Sequence, residues 1–96
     1  MAFKVVVEPM ALGDIQQAID YYDEQQIGLG KKFSLVVDKH FQIISKNPFY
    51  QIRYHHVRCL PIKNYPFMIH FFITEKTKTA FIVSVYHTSQ KPLHVK

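Results

Sequence analysis

The chain opens with a β-branched run, Phe3 to Glu8, whose length and apolar content fit a first strand. Pro9 ends that run and suits the first turn of a helix, where a missing amide N–H costs nothing. Leu12, Ile15, Ile19 and Tyr22 then recur at three- and four-residue steps, with Asp14, Gln17, Asp20 and Asp23 between them. That spacing predicts a helix with one apolar stripe and one acidic face. Gly28 and Gly30 break the pattern. A second helix is predicted from about Leu29 to Lys46, with a buried stripe of Phe33, Val36, Val37, His40, Phe41 and Ile44, and Asn47-Pro48 ends it.

Three further runs, Tyr54 to Ile62, Phe67 to Thr74 and Thr79 to His87, are rich in aromatic and β-branched residues and read as strands. Turn chemistry separates them, Lys63-Asn64-Tyr65-Pro66 in one gap and Glu75-Lys76-Thr77-Lys78 in the other. Short connections imply antiparallel neighbours. The predicted class is therefore α+β, in the order β-α-α-β-β-β, with a helical hairpin packed on one face of a mostly antiparallel sheet. Phe67 to Thr74 alternates poorly, which fits either a central strand covered on both faces or a strand whose outer face meets a partner.

Size and composition then narrow the picture. A chain of 96 residues with 48% apolar content supports one core, so residues 1–96 are read as a single domain. The net charge of +5 is unevenly placed: from Lys39 onward stand nine of the 12 Lys and Arg residues and all 6 histidines, with Glu75 the one acid. The strand-rich half is thus expected to form a basic, imidazole-rich surface suited to nucleic acid or an acidic protein segment. A lone Cys59 gives no internal disulfide, and no run approaches the roughly 18 apolar residues of a spanning helix, so a cytoplasmic protein with no membrane partner is expected.

Candidate chemistry is restricted. His55 and His56 are adjacent and, in a strand, would point to opposite faces, so they do not chelate one ion; no metal is expected. Cys59 has no glycine-rich elbow or helix start beside it, and Gly28-Leu29-Gly30 joins two helices instead of cradling phosphate, so no cofactor is expected. Metal-independent RNA cleavage is the reaction that this composition could support, since it needs a base, an acid and cations around the phosphate. The candidates are Arg53, His55, His56, Arg58, Lys63, Tyr86, His87 and Lys91. Strand alternation, with Val57 and Cys59 taken as inward, sends His56 and Arg58 outward, where an arginine can hold phosphate bidentately. His87 closes the last strand beside Tyr86, a position where a scaffold fixes a reactive group and a loop gives access. His40 and His70 are assigned to the core or its rim.

Several short segments, in this order, resemble the RelE/ParE superfamily of bacterial toxins: Ala18-Ile19-Asp20-Tyr21-Tyr22, Leu29-Gly30-Lys31-Lys32-Phe33, Asn47-Pro48, Val57-Arg58-Cys59-Leu60, Tyr65-Pro66-Phe67, and Val83-Ser84-Val85-Tyr86-His87 with Pro92 beyond. The resemblance spans residues 3 to 92. It implies the toxin of a type II toxin–antitoxin, or plasmid-stabilisation, system, bound by an acidic, partly disordered antitoxin segment in a hetero-oligomer. Two branches imply different activities. A RelE-like protein cleaves messenger RNA on the ribosome, and the resemblance would then give catalytic roles to Arg58, Tyr86 and His87; Arg53, His56, Lys63 and Lys91, from the candidates above, are expected to bind target phosphates. A ParE-like protein blocks DNA gyrase without a catalytic set. The Tyr65-Pro66-Phe67 turn and the His87 to Pro92 ending are closer to the ParE-like type. A non-catalytic module binding nucleic acid or antitoxin is the remaining alternative.

Overall fold

The computed structural model describes residues 2–88, which form β1 (Lys4–Val7), α1 (Pro9–Gln25), α2 (Leu29–Lys46), β2 (Ile52–Tyr54), β3 (Val57–Pro61), β4 (Phe67–Thr74) and β5 (Thr79–His87). The second helix and the last two strands have the bounds that the sequence predicts. The strands make one sheet in the order β1-β5-β4-β3-β2, in which β1 runs parallel to β5 and the other neighbours are antiparallel. The helical hairpin carries the chain from β1 at one edge of the sheet to β2 at the other, and the antiparallel run β2-β3-β4-β5 returns to lie beside β1. The poorly alternating β4 lies at the centre, as a strand buried on both faces should. Among the described residues, no helix is long and apolar enough to cross a membrane.

One predicted strand is two. The run from Tyr54 to Ile62 is interrupted at His55-His56, which form a turn with His55 in the left-handed region at φ 49°. The chain folds back there, so that Ile52 pairs with Arg58 and Tyr54 with Val57. The two histidines consequently project from a turn and do not alternate across the sheet.

The first helix keeps Ile15, Ile19 and Tyr22 of its predicted stripe against the core, but Leu12 is 55% exposed and the buried positions beside them are Ala11 and Ala18. Small residues mark the close approach of α1 to α2 and β5. Asp14 leaves the acidic face altogether: its Oδ2 accepts the Val85 amide N–H at 3.0 Å. Val85 lies just past a β-bulge, where His70 pairs with Ser84 but Phe71 with Ile82, leaving Val83 as the extra residue.

The two glycines that break the helical pattern have separate reasons. Gly28 takes φ 97°, which side chains rarely adopt. A Cβ on Gly30 would stand 2.6 Å from the Ile19 carbonyl oxygen, so this glycine sets how closely the helices meet. Asp23 Oδ1 accepts the amides of Gly28 at 3.2 Å and Gly30 at 2.8 Å, and thereby caps α2 from the end of α1. Phe33, Val37 and Ile44 of α2 then fill the core against Ile62, Ile69, Phe71, Ala80, Ile82 and Val85. Each fully buried side chain of this size contributes about 1.5–3 kcal/mol relative to exposure.

Candidate functional site

Register assigns each strand residue to a face, because residues paired across a ladder project to the same side. Ile69, Phe71, Ile82 and Val85 face the helices. Their neighbours Met68, His70, Phe72, Phe81, Ser84 and Tyr86 therefore occupy the opposite face, open in the sense that no described helix covers it. Cys59 pairs with His70, so Cys59 and Val57 lie on the open face as well.

At the centre of that face is a polar cluster. Tyr54 Oη lies 2.9 Å from His70 Nδ1, and Cys59 Sγ lies 3.5 Å from the same nitrogen. The Tyr86 ring stands edge-on to His70, with centroids 5.1 Å apart at 89°. Burial, with smaller contributions from Cys59 and Tyr86, pushes the Tyr54 phenol up to about 12. A phenol so held keeps its proton, and its hydrogen bond with Nδ1 fixes the imidazole orientation. Burial also pushes the Cys59 thiol up, and the Arg53 guanidinium partly opposes this. The cysteine is thus a neutral thiol, not an activated nucleophile. Ser84 Oγ, paired across the ladder with His70, is buried and has no hydrogen-bond partner among the described residues. Proton transfer is within the capacity of these groups, and among the described residues Arg53 is the cation whose charge acts on Cys59 in this cluster.

The residues singled out from sequence do not meet in one place. Arg58 pairs with Phe71 and so lies on the helix side, contrary to the outward orientation expected for it. There Nη1 donates to the Tyr50 carbonyl at 2.6 Å, and the guanidinium lies over the Phe49 ring, 5.7 Å from its centroid. The error came from equating burial with the helix side: Val57 and Cys59 are buried, but on the open face. His87 is likewise on the helix side, paired with Phe67 and 5.3 Å from its ring. Arg58 and His87 are separated by four residues along β4, about 13 Å, and Tyr86 projects to the other face. Arg53 is exposed near Cys59, His56 is exposed in the β2–β3 turn, and Lys63 is exposed in the β3–β4 turn. Lys91 and Pro92 lie outside the described residues.

His40 and His70 are buried, as expected. His40 Nδ1 bonds the Val36 carbonyl at 2.8 Å, and Nε2 accepts the Lys63 amide at 3.1 Å, which ties the β3–β4 turn to α2. The Tyr54–His70 pair escaped sequence reasoning, although one signal was present: a histidine within the apolar run of β4 requires a polar partner. Among the described residues, no group of three His, Cys, Asp or Glu side chains is placed to hold a metal ion.

No protein-family model matches the chain, and no curated protein is significantly similar to it in sequence. Solved structures do match. A chain of the structure described as the chromosomal ParDE TA system from P. aeruginosa superposes with a TM-score of 0.78 at 14% identity, covering 90% of this chain and 96% of that one. A chain of the toxin-antitoxin complex RelBE2 from Mycobacterium tuberculosis gives a TM-score of 0.65 at 15% identity, covering 94% and 95%. The α+β arrangement of a helical hairpin on a five-stranded, mostly antiparallel sheet is therefore the fold found in these ParDE and RelBE2 assemblies.

Proposed function

We propose that this chain is the toxin of a type II toxin–antitoxin pair, of the ParE-like kind, held inactive in the cytoplasm by an acidic antitoxin and arresting growth through DNA gyrase. The fold shared with the ParDE and RelBE2 chains supports the pairing with an antitoxin. The choice of branch rests on one observation: Arg58 is engaged with Tyr50 and Phe49 on the helix side, away from Tyr86 on the open face. Transesterification of RNA needs cations and proton-transfer groups around the same phosphate. A protein-blocking toxin does not.

A second reading, ribosome-dependent cleavage of messenger RNA, is favoured by the Tyr54–His70–Tyr86 cluster, where proton-transfer groups do converge. One pair of assays separates the two. Purified protein is expected to inhibit gyrase supercoiling and to leave ribosome-bound message intact. Message cleavage that is lost in His70→Gln and Tyr86→Phe, with supercoiling unaffected, would replace the first reading by the second.

A further inference from the structure

On the helix side of the sheet, α2 and the β3–β4 turn enclose a depression of about 510 Å³. Lys32, Lys39 and Lys63 stand around a floor of Val36 and Tyr65, with His40 beneath, and no carboxylate lines it. Lys32, Val36 and Lys39 share one face of α2 through their i, i+4, i+7 spacing. The opposite wall is held in place. His40 joins the Val36 carbonyl to the Lys63 amide, and the Tyr65 ring packs 5.0 Å from Phe33 and 5.5 Å from Tyr22. Asn64 takes φ 70°, which turns the chain sharply between Lys63 and Tyr65. Three ammonium groups are thus presented around a concavity whose shape is set before any ligand arrives.

We propose that this depression docks an acidic peptide segment of a protein partner. Carboxylates pair with Lys32, Lys39 and Lys63, and an apolar side chain seats on Val36 and Tyr65. The identity of that partner as an antitoxin rests on the function proposed above. Seven residues of helix separate Lys32 from Lys39 by about 10.5 Å. Carboxylates three residues apart on a polyproline-II segment, with three residues per turn, share one face and lie about 9 Å apart, so the spacing suits such a peptide. Nucleic acid fits less well, because the lining supplies one phenol ring, Tyr65, and no second Phe, Tyr or Trp on which successive bases could stack.

The test is an NMR titration of the full-length 15N-labelled chain with a capped peptide of Glu-Leu-Ser repeats, and in parallel with an oligothymidylate of similar length. The peptide is expected to shift the amides of Lys32, Val36, Lys39 and residues 63–65. The Lys32→Ala/Lys39→Ala/Lys63→Ala variant is expected to bind it about tenfold more weakly. The control, Lys4→Ala/Lys46→Ala/Lys76→Ala, removes three exposed lysines elsewhere and is expected to bind as the parent does. Absence of peptide binding, shifts centred on Tyr54, His70 and Tyr86, an equal loss in the control, or tighter binding of the oligonucleotide would each overturn the proposal. Growth arrest on expression of the parent chain is scored separately. Arrest without peptide binding at the pocket rejects the pocket alone, and pocket binding without arrest rejects the toxin reading alone.

Discussion

Asp14→Ala removes the hydrogen bond by which α1 grips the bulged edge of β5. The acceptor is a carboxylate oxygen 3.0 Å from the Val85 amide, and Val85 is 3% exposed, so water cannot readily replace the lost partner. Hydrogen bonds to charged groups contribute about 1.5–3 kcal/mol, and because Asp14 is only half-buried a loss of about 2 kcal/mol is appropriate. Alanine recovers roughly 0.5 kcal/mol through its better helix propensity. The net destabilisation is about 1.5 kcal/mol, which for a domain of this size lowers Tm by about 6–12 °C. Asp14→Asn keeps a side-chain carbonyl as acceptor and should lose only about half as much. Urea denaturation followed by circular dichroism gives the free energies, and amide exchange at Val85 reports the bond itself. An alanine variant within about 0.5 kcal/mol of the parent, as for an ordinary surface position, would refute the coupling of helix to bulge.

Gly30→Ala should destabilise by about 1–3 kcal/mol despite alanine's helix preference, because the new Cβ meets the Ile19 carbonyl at 2.6 Å and the helices must separate; a more stable variant in urea melts would contradict this. Arg58→Ala should lower stability by about 1–2 kcal/mol through loss of the bond to the Tyr50 carbonyl, and Arg58→Lys should restore little of it if the planar contact with Phe49 matters. Unfolding free energies of the two variants decide the point. The Tyr54 phenol is raised from 10.0 to about 12, so below pH 10 both folded and unfolded states keep its proton. Above that pH the unfolded state ionises first, so this residue's contribution to stability declines as pH rises towards about 12 and is fully present below 10. Tyr54→Phe should remove that part of the alkaline decline and the highest-titrating phenolate absorbance; unchanged titration would show the shift to be absent.

Sequence patterning revealed those parts of the fold whose signals are local. The Phe33 to Ile44 stripe and the Asn47-Pro48 stop define α2, and the polar turns at residues 63–66 and 75–78 delimit β4 and β5. The β2–β3 turn gave no such signal, because His55 takes its positive φ without a Gly, Asn or Asp to announce it. Face assignment failed for a different reason. In a strand flanked on both sides, burial no longer marks the helix face: Ile69 and Phe71 are buried on one side of β4 and His70 on the other. The bulge at Val83 compounds this by placing both Ile82 and Val85 towards the helices, which strict alternation cannot do. Asp14 and Gly30 were visible as residues, but their roles depend on contacts to Val85 and Ile19 that no periodicity encodes.

These placements change what the excess of positive charge means. In the linear sequence, cations, histidines and tyrosines share the C-terminal half and look like components of one site. Folding separates them. On the described part of the sheet, Tyr54, His70 and Tyr86 meet on the open face, Arg58 turns to the helix side, and Lys63 joins Lys32 and Lys39 beside α2. A phosphodiester on the open face would find groups able to move protons but would have Arg53 as its near cation, whereas the pocket offers concentrated charge with no group poised for chemistry. Phosphoryl chemistry depends on both being brought to one phosphate, because proton transfer without charge stabilisation leaves the transition state's added negative charge unsupported. Recognition of an acidic polypeptide has no such requirement and needs only charge, an apolar seat and a fixed wall. This separation of charge from proton-transfer groups is what supports the proposed reading of a toxin that acts through binding, with the cationic pocket and the Tyr54–His70–Tyr86 cluster on different faces of the sheet.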